Sequence, residues 1–167
     1  GVRQGCLLSS TLFILFLDPL LFWLAEQKIG YEINNIQIPT LAFADDMTLT
    51  CHSKDNMQKL MNIVQKYLWY FGLELAVDTR DKSVYTSNNT REKGTSIFVN
   101  NIPEYKDDVI TSKRKKKPLP FLEPDESYKY LGVWINLNLD WTDQHNISQG
   151  NLIRNLTYLR HKCFTPS

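Results

Sequence analysis

Two aspartates stand side by side, Asp45 and Asp46, inside "TLAFADDMTLTC" (residues 40–51), an otherwise apolar, strand-like run. Strand propensity disfavours Asp, and adjacent carboxylates repel. Either the pair sits at a solvated turn tip, or a cation neutralises it. Neighbouring strand residues point to opposite faces, but a turn brings both carboxylates toward one point. Carboxylate oxygens acting with substrate phosphates are the usual setting for magnesium. Two such ions, about 3.5–4 Å apart, activate an attacking hydroxyl and stabilise a leaving pyrophosphate during in-line phosphoryl transfer. Taken alone, an Asp-Asp turn is equally what an ordinary surface hairpin carries.

Other reactive residue types form weaker patterns. Cys6, Cys51 and Cys163 are an odd, unpatterned set, read as reduced thiols in an intracellular chain, nuclear or cytoplasmic and not secreted. In that setting the N-x-S/T tripeptides at Asn88, Asn146 and Asn155 carry little weight. Cys51-His52 and His161-x-Cys163 are too sparse for a structural zinc site, which takes four ligands. The basic run "KRKKK" (113–117) fits phosphate contact or a nuclear localisation signal, and equally a solvated loop. Arg154, Arg160, His161 and Lys162 offer a second basic surface near the C-terminus.

The elements that must position these groups follow from periodicity. Residues 11–24, "TLFILFLDPLLFWL", predict a helix buried nearly all round, capped by Ser9 or Ser10 and kinked at Pro19. A membrane span needs roughly 20 apolar residues, and Asp18-Pro19 interrupts this run, so no membrane association is expected. Two short strands, 40–44 and 47–51, form a hairpin turning at Asp45-Asp46. Met57, Leu60, Met61, Val64, Tyr67, Leu68 and Phe71 follow helical spacing over 55–71, with Asp55 and Gln58 as a capping box and Gly72 just past the end. "GLELAV" (72–77), "KSVYTS" (82–87) and "YKYLGVWINLNLDW" (128–141) read as strands, the last with Gly132 inside it. "SIFVNNIPEY" (96–105) reads as a hairpin bending at Asn100-Asn101. Residues 106–127 read as an exposed loop, and 145–161 as a helix. The fold class is α+β, with a mainly antiparallel sheet packed on helices.

At 167 residues and 43% hydrophobic the chain supports one domain with a sizeable core. Its net charge of +1 makes no global case for a polyanion partner, so any nucleic-acid contact rests on local clustering.

Four motifs in order then carry a resemblance. "GVRQGCLLSSTLFILFLDPLL" (1–21), "AFADD" (42–46), "GLELAV…DKS" (72–83) and "YKYLGVWI" (128–135) with Trp141 and His145 beyond it resemble the reverse transcriptases of LINE-type, non-LTR retrotransposons. The resemblance implies a polymerase palm over 1–141, with the insertion at about 106–127, and the start of a thumb-like helical region over 142–167. It implies an RNA-directed DNA polymerase that adds dNTPs to a DNA primer 3′-hydroxyl on an RNA template. The cofactor is two Mg2+ ions, with Mn2+ as an alternative.

Site roles follow from the same resemblance. Asp45 is the main metal ligand and Asp46 its weaker neighbour. Gln4 and Gly5 lie beside the incoming nucleotide and templating base, and Phe43 packs near the primer end. Lys82 matches a lysine that protonates the leaving pyrophosphate, or is a plain surface lysine. Tyr130, Leu131 and Gly132 form the primer-gripping hairpin, although Leu131 equally fits a core strand.

The sequence departs from the family pattern in several places. Leu7 and Ser10 replace usual prolines, Ala76 replaces a common asparagine, and the spacing to Lys82 is longer than usual. The family's third aspartate lies upstream of the first motif, where this sequence starts. The expectation is therefore a piece of a longer protein that does not polymerise alone. A second reading is a non-catalytic remnant holding RNA or a protein partner through its basic loop and last helix.

Overall fold

The apolar run near the start forms the first helix, α1 (Ser9–Glu26), in a computed structural model that describes residues 5, 7–77, 80, 82–89, 96–100, 105–106, 109–110 and 116–163. The chain continues through β1 (Tyr31–Ile33), β2 (Ile36–Ile38), β3 (Thr40–Phe43), β4 (Asp46–Leu49) and α2 (Lys54–Tyr70). Then come β5 (Phe98–Asn100), β6 (Tyr105–Lys106), β7 (Val109–Ile110), β8 (Lys116–Pro118), β9 (Tyr128–Tyr130), β10 (Val133–Ile135) and α3 (Thr142–Cys163). Residues 1–85 with 94–120 make one compact unit, and 86–93 with 121–167 make a second. The mixture of helices and antiparallel strands agrees with the α+β expectation. The strands, however, form five separate two-stranded ladders rather than one sheet.

In the first unit, Leu20 and Leu24 of α1 meet Leu60 and Val64 of α2, and Met47 and Leu49 of β4 pack against them. Burying each such leucine contributes about 1.5–3 kcal/mol. A second cluster, Ile97, Val99 and Leu119, is backed by Met57 and Met61 of α2 and by Leu75, Val77 and Tyr85. The α2 period read from sequence is therefore the packing face, with Met57 and Met61 serving one cluster and Leu60 and Val64 the other.

Several expectations are corrected. Helix α1 is not buried all round: Leu12, Ile14, Leu15 and Phe22 are exposed, and only Leu20 and Leu24 are buried. Leu8 occupies its N-cap with no side-chain bond, so neither Ser9 nor Ser10 caps it. Pro19 lies inside a continuous helix and leaves the Leu15 carbonyl without its usual donor. One residue on, the Phe16 carbonyl accepts from the Tyr67 hydroxyl of α2. Helix α2 is capped by Ser53, whose side chain accepts from the Asn56 amide, not by an Asp55 box. At its other end Gly72 and Leu73 donate to the carbonyls of Trp69 and Leu68, the paired bonds of a Schellman motif.

That motif turns the chain out of regular structure, so 73–77 is not a strand, although Leu75 and Val77 still pack inward. Within 82–87 only Tyr85 makes a bridge, its amide donating to the Pro120 carbonyl. Nor does β5 bend back at Asn100-Asn101; it pairs antiparallel with β8, Phe98 opposite Pro118 and Asn100 opposite Lys116. The expected loop at 106–127 therefore contributes β7, β8 and the last residue of β6. Gly132 lies in the β9–β10 turn rather than inside a strand, and α3 extends beyond 145–161 at both ends.

In the second unit the β9–β10 hairpin is fixed to α3. The Trp134 amide donates to Gln144 Oε1 at 2.9 Å, and Ser127 Oγ donates to Asp143 Oδ2 at 2.6 Å. Asp140 Oδ1 accepts from both the amide and the hydroxyl of Thr142, which holds its carboxyl below the usual range and secures the start of α3.

Candidate polymerase hairpin and primer-side turn

Strands β3 and β4 pair with Thr40 opposite Leu49, Ala42 opposite Met47, and Phe43 opposite Asp46. The two-residue turn is thus Ala44-Asp45, one residue earlier than the sequence predicts. Strand alternation then sorts the side chains. Met47 and Leu49 turn toward the core, while Leu41, Phe43 and Asp46 share the outer face. Asp45 at the turn and Asp46 at the first position of β4 are both exposed, and neither carboxylate has a side-chain partner among the described residues. Below the tip, Thr50 closes the hairpin, its amide donating to the Pro39 carbonyl at 2.9 Å and its hydroxyl to the Ile38 carbonyl.

The turn has a strained residue. Ala44 has φ 52, in the left-handed region that L-residues other than Asn and Asp seldom occupy. Small side chains at Ala42 and Ala44 leave a hollow of about 170 Å³ against α1, walled by Phe13, Ile14, Leu17 and Leu21, with Asp18 on its rim. The alternating alanines, Ala42 in β3 and Ala44 in the turn, are the sequence signal for this hollow.

The β9–β10 hairpin repeats the arrangement in the second unit. Tyr130 pairs with Val133, and Leu131 (φ 49) and Gly132 (φ 85) form the turn. Positive φ at both central positions is the type I′ pattern that matches strand twist. Glycine takes it freely, and leucine does so at a cost. Leu131 is 46% exposed, so it is a turn-tip residue and not a core strand residue.

The remaining candidates are placed as follows. Gly5 is exposed with φ 81 and open space where a side chain would begin. Gln4 lies outside the described residues. Lys82 is exposed in the turn preceding Tyr85. Of the basic run, Lys116 and Lys117 are exposed on β8, and 113–115 lie outside the described residues. On α3, Arg154 is exposed and donates to Asn151 Oδ1 at 2.6 Å. The first hairpin thus gathers Phe43, Asp45 and Asp46 into four consecutive positions, and the second gathers Tyr130, Leu131 and Gly132.

Paired, solvent-facing carboxylates supply the hard oxygen donors that a magnesium or manganese ion takes, and they fit such an ion as part of its ligand set. Among the described residues no group of three or more His, Cys, Asp or Glu converges on one point. A full site therefore draws further donors from elsewhere, substrate phosphates included.

Comparison with known proteins gives the family. Residues 1–135 match the family model described as "Reverse transcriptase (RNA-dependent DNA polymerase)". Over 136 residues the chain is 29% identical to the retrovirus-related Pol polyprotein from type-2 retrotransposable element R2DM of Drosophila melanogaster. That alignment covers 80% of this chain and 11% of the relative.

Proposed function

Because the chain belongs to the reverse transcriptase (RNA-dependent DNA polymerase) family, we propose that it forms the palm part of a non-LTR retrotransposon polymerase that extends a DNA primer on an RNA template. The observation that carries this reading is the β3–β4 tip, where a strained two-residue turn presents Asp45 and Asp46 to solvent beside the exposed ring of Phe43. Asp45 is the principal ligand for magnesium and Asp46 the supporting one. When bound, the metal pair supplies charge neutralisation for an attacking 3′-hydroxyl and a departing pyrophosphate.

The chain's own residues do the positioning, which in phosphoryl transfer is most of the catalysis. Phe43 lies on the same face as Asp46 and packs beside the primer terminus. Gly5, with Gln4 before it, lines the incoming nucleotide. Tyr130, Leu131 and Gly132 hold the primer strand. Lys82 donates a proton to the pyrophosphate, and α3 begins a thumb that faces the duplex. Since no third carboxylate joins Asp45 and Asp46 among the described residues, the 167 residues alone are proposed to be inactive. The working environment is intracellular.

Primer extension on an RNA template by the chain within its complete polymerase tests the reading. Asp45→Asn should abolish extension, by about a hundredfold or more, while leaving the fold intact by circular dichroism. Full activity in Asp45→Asn would remove the proposed metal role.

A further inference from the structure

We propose that His52 is a protonation-sensitive clasp that holds the β1–β2 hairpin to the base of the β3–β4 hairpin. The Glu32 amide donates to His52 Nε2 at 3.2 Å. A backbone N–H can only donate, so His52 must be neutral there, with its proton on Nδ1. The Tyr31 and His52 rings lie 4.9 Å apart, which places the imidazole against the same strand.

Thr50 already ties the base of the β3–β4 hairpin to this ladder, its amide donating to the Pro39 carbonyl at 2.9 Å and its hydroxyl to the Ile38 carbonyl. Gly30, just before β1, lies so close to the end of β2 that a Cβ would fall 2.5 Å from the Ile38 carbonyl carbon and Pro39 nitrogen. Gln37 accepts from the Gly30 amide at 2.9 Å and donates to Glu32 Oε2 at 2.7 Å, so the Glu32 carboxylate is engaged within its own hairpin. Among the described residues strands β1 and β2 pair only with each other, and such a ladder is marginal by itself.

Among the described residues the imidazole is met by the Tyr31 ring and the Glu32 amide of β1, while the Glu32 carboxylate is held by Gln37. On its own segment Cys51 donates to the Ser53 carbonyl. His52 is exposed, so protons reach it freely. Protonation puts an N–H where the Glu32 amide needs an acceptor, and that bond is lost. An imidazolium keeps its attraction to the Tyr31 ring, so the release is specific to the backbone contact.

Hydrogen-exchange NMR on the 167-residue chain tests this. The protection of the Glu32 amide, corrected for intrinsic exchange, should fall about fivefold between pH 8 and pH 5. His52→Gln, whose side-chain oxygen accepts the same bond without titrating, should abolish the fall. Glu32→Gln should retain it. Protection that is flat in the native chain, a fall that persists in His52→Gln, or imidazole nitrogen shifts placing the neutral proton on Nε2 would each overturn the proposal.

Discussion

Gln58 and Phe98 exchange two hydrogen bonds: the Phe98 amide donates to Gln58 Oε1 at 2.8 Å, and Gln58 Nε2 donates to the Phe98 carbonyl at 2.9 Å. One helical heptad on, Gln65 Oε1 accepts from the Asn100 amide at 2.8 Å, and its Nε2 reaches the same Phe98 carbonyl at 3.3 Å. The far side of β5 explains the need. Leu119 donates to the Ile97 carbonyl across the ladder to β8, so antiparallel alternation turns Phe98 and Asn100 away from that partner. Two glutamine amides on α2 thus stand in for a missing strand.

Gln65 is buried, so its loss strands a backbone donor. Gln65→Leu, which keeps the volume and removes the bonds, should cost about 1–3 kcal/mol in urea denaturation. An unchanged midpoint would mean that water replaces the side chain.

Both candidate turns carry a residue in a costly conformation, Ala44 (φ 52) and Leu131 (φ 49). Asn34 and Asn35 in the β1–β2 turn take positive φ, as asparagine does readily, whereas Leu131 does so with a branched apolar side chain. Leu131→Asn creates the Asn-Gly pair preferred in type I′ turns. It should stabilise the hairpin by about 1 kcal/mol, read as slower amide exchange in β9 and β10. If the leucine contacts the primer, extension by the complete polymerase should fall in the same variant.

Burial pushes the Tyr67 hydroxyl above its ordinary value of 10.0. A folded-state value above the unfolded one contributes stability that is complete below pH 10 and disappears as pH rises through the folded value. Denaturation midpoints should therefore decline above pH 10. Tyr67→Phe, which cannot ionise or donate to the Phe16 carbonyl, should be less stable at neutral pH and show a shallower alkaline decline.

Lys116 and Lys117, exposed on β8, provide the observation behind a non-catalytic RNA-binding reading. Filter binding of single-stranded RNA at graded salt should give a slope that decreases by about 1.4 on replacing both lysines with glutamine. No change in slope would exclude these lysines from phosphate contact.

The sequence made some of this legible and not the rest, for physical reasons. Helix α2 was readable because seven apolar residues at helical spacing outweigh any competing pattern. The Asp pair was readable because two like charges in a strand demand an explanation. The turn slipped by one residue because nothing in local propensity favours Ala44 at positive φ. The β5–β8 pairing was hidden because β8 takes in the end of the basic run, which reads as a solvated loop, and because the outer edge of β5 is completed by helix side chains. His52 was weighed as a metal ligand, whereas its role as an acceptor for Glu32 depends on a contact 20 residues away in sequence.

Four of the five ladders join strands that are neighbours along the chain, and the fifth links strands less than twenty residues apart. Loop-closure entropy is therefore small at each of these strand pairings. An isolated two-stranded hairpin is nevertheless marginal, so the tip carrying Asp45 and Asp46 is held in shape by the packing of Met47 and Leu49 against α1 and α2.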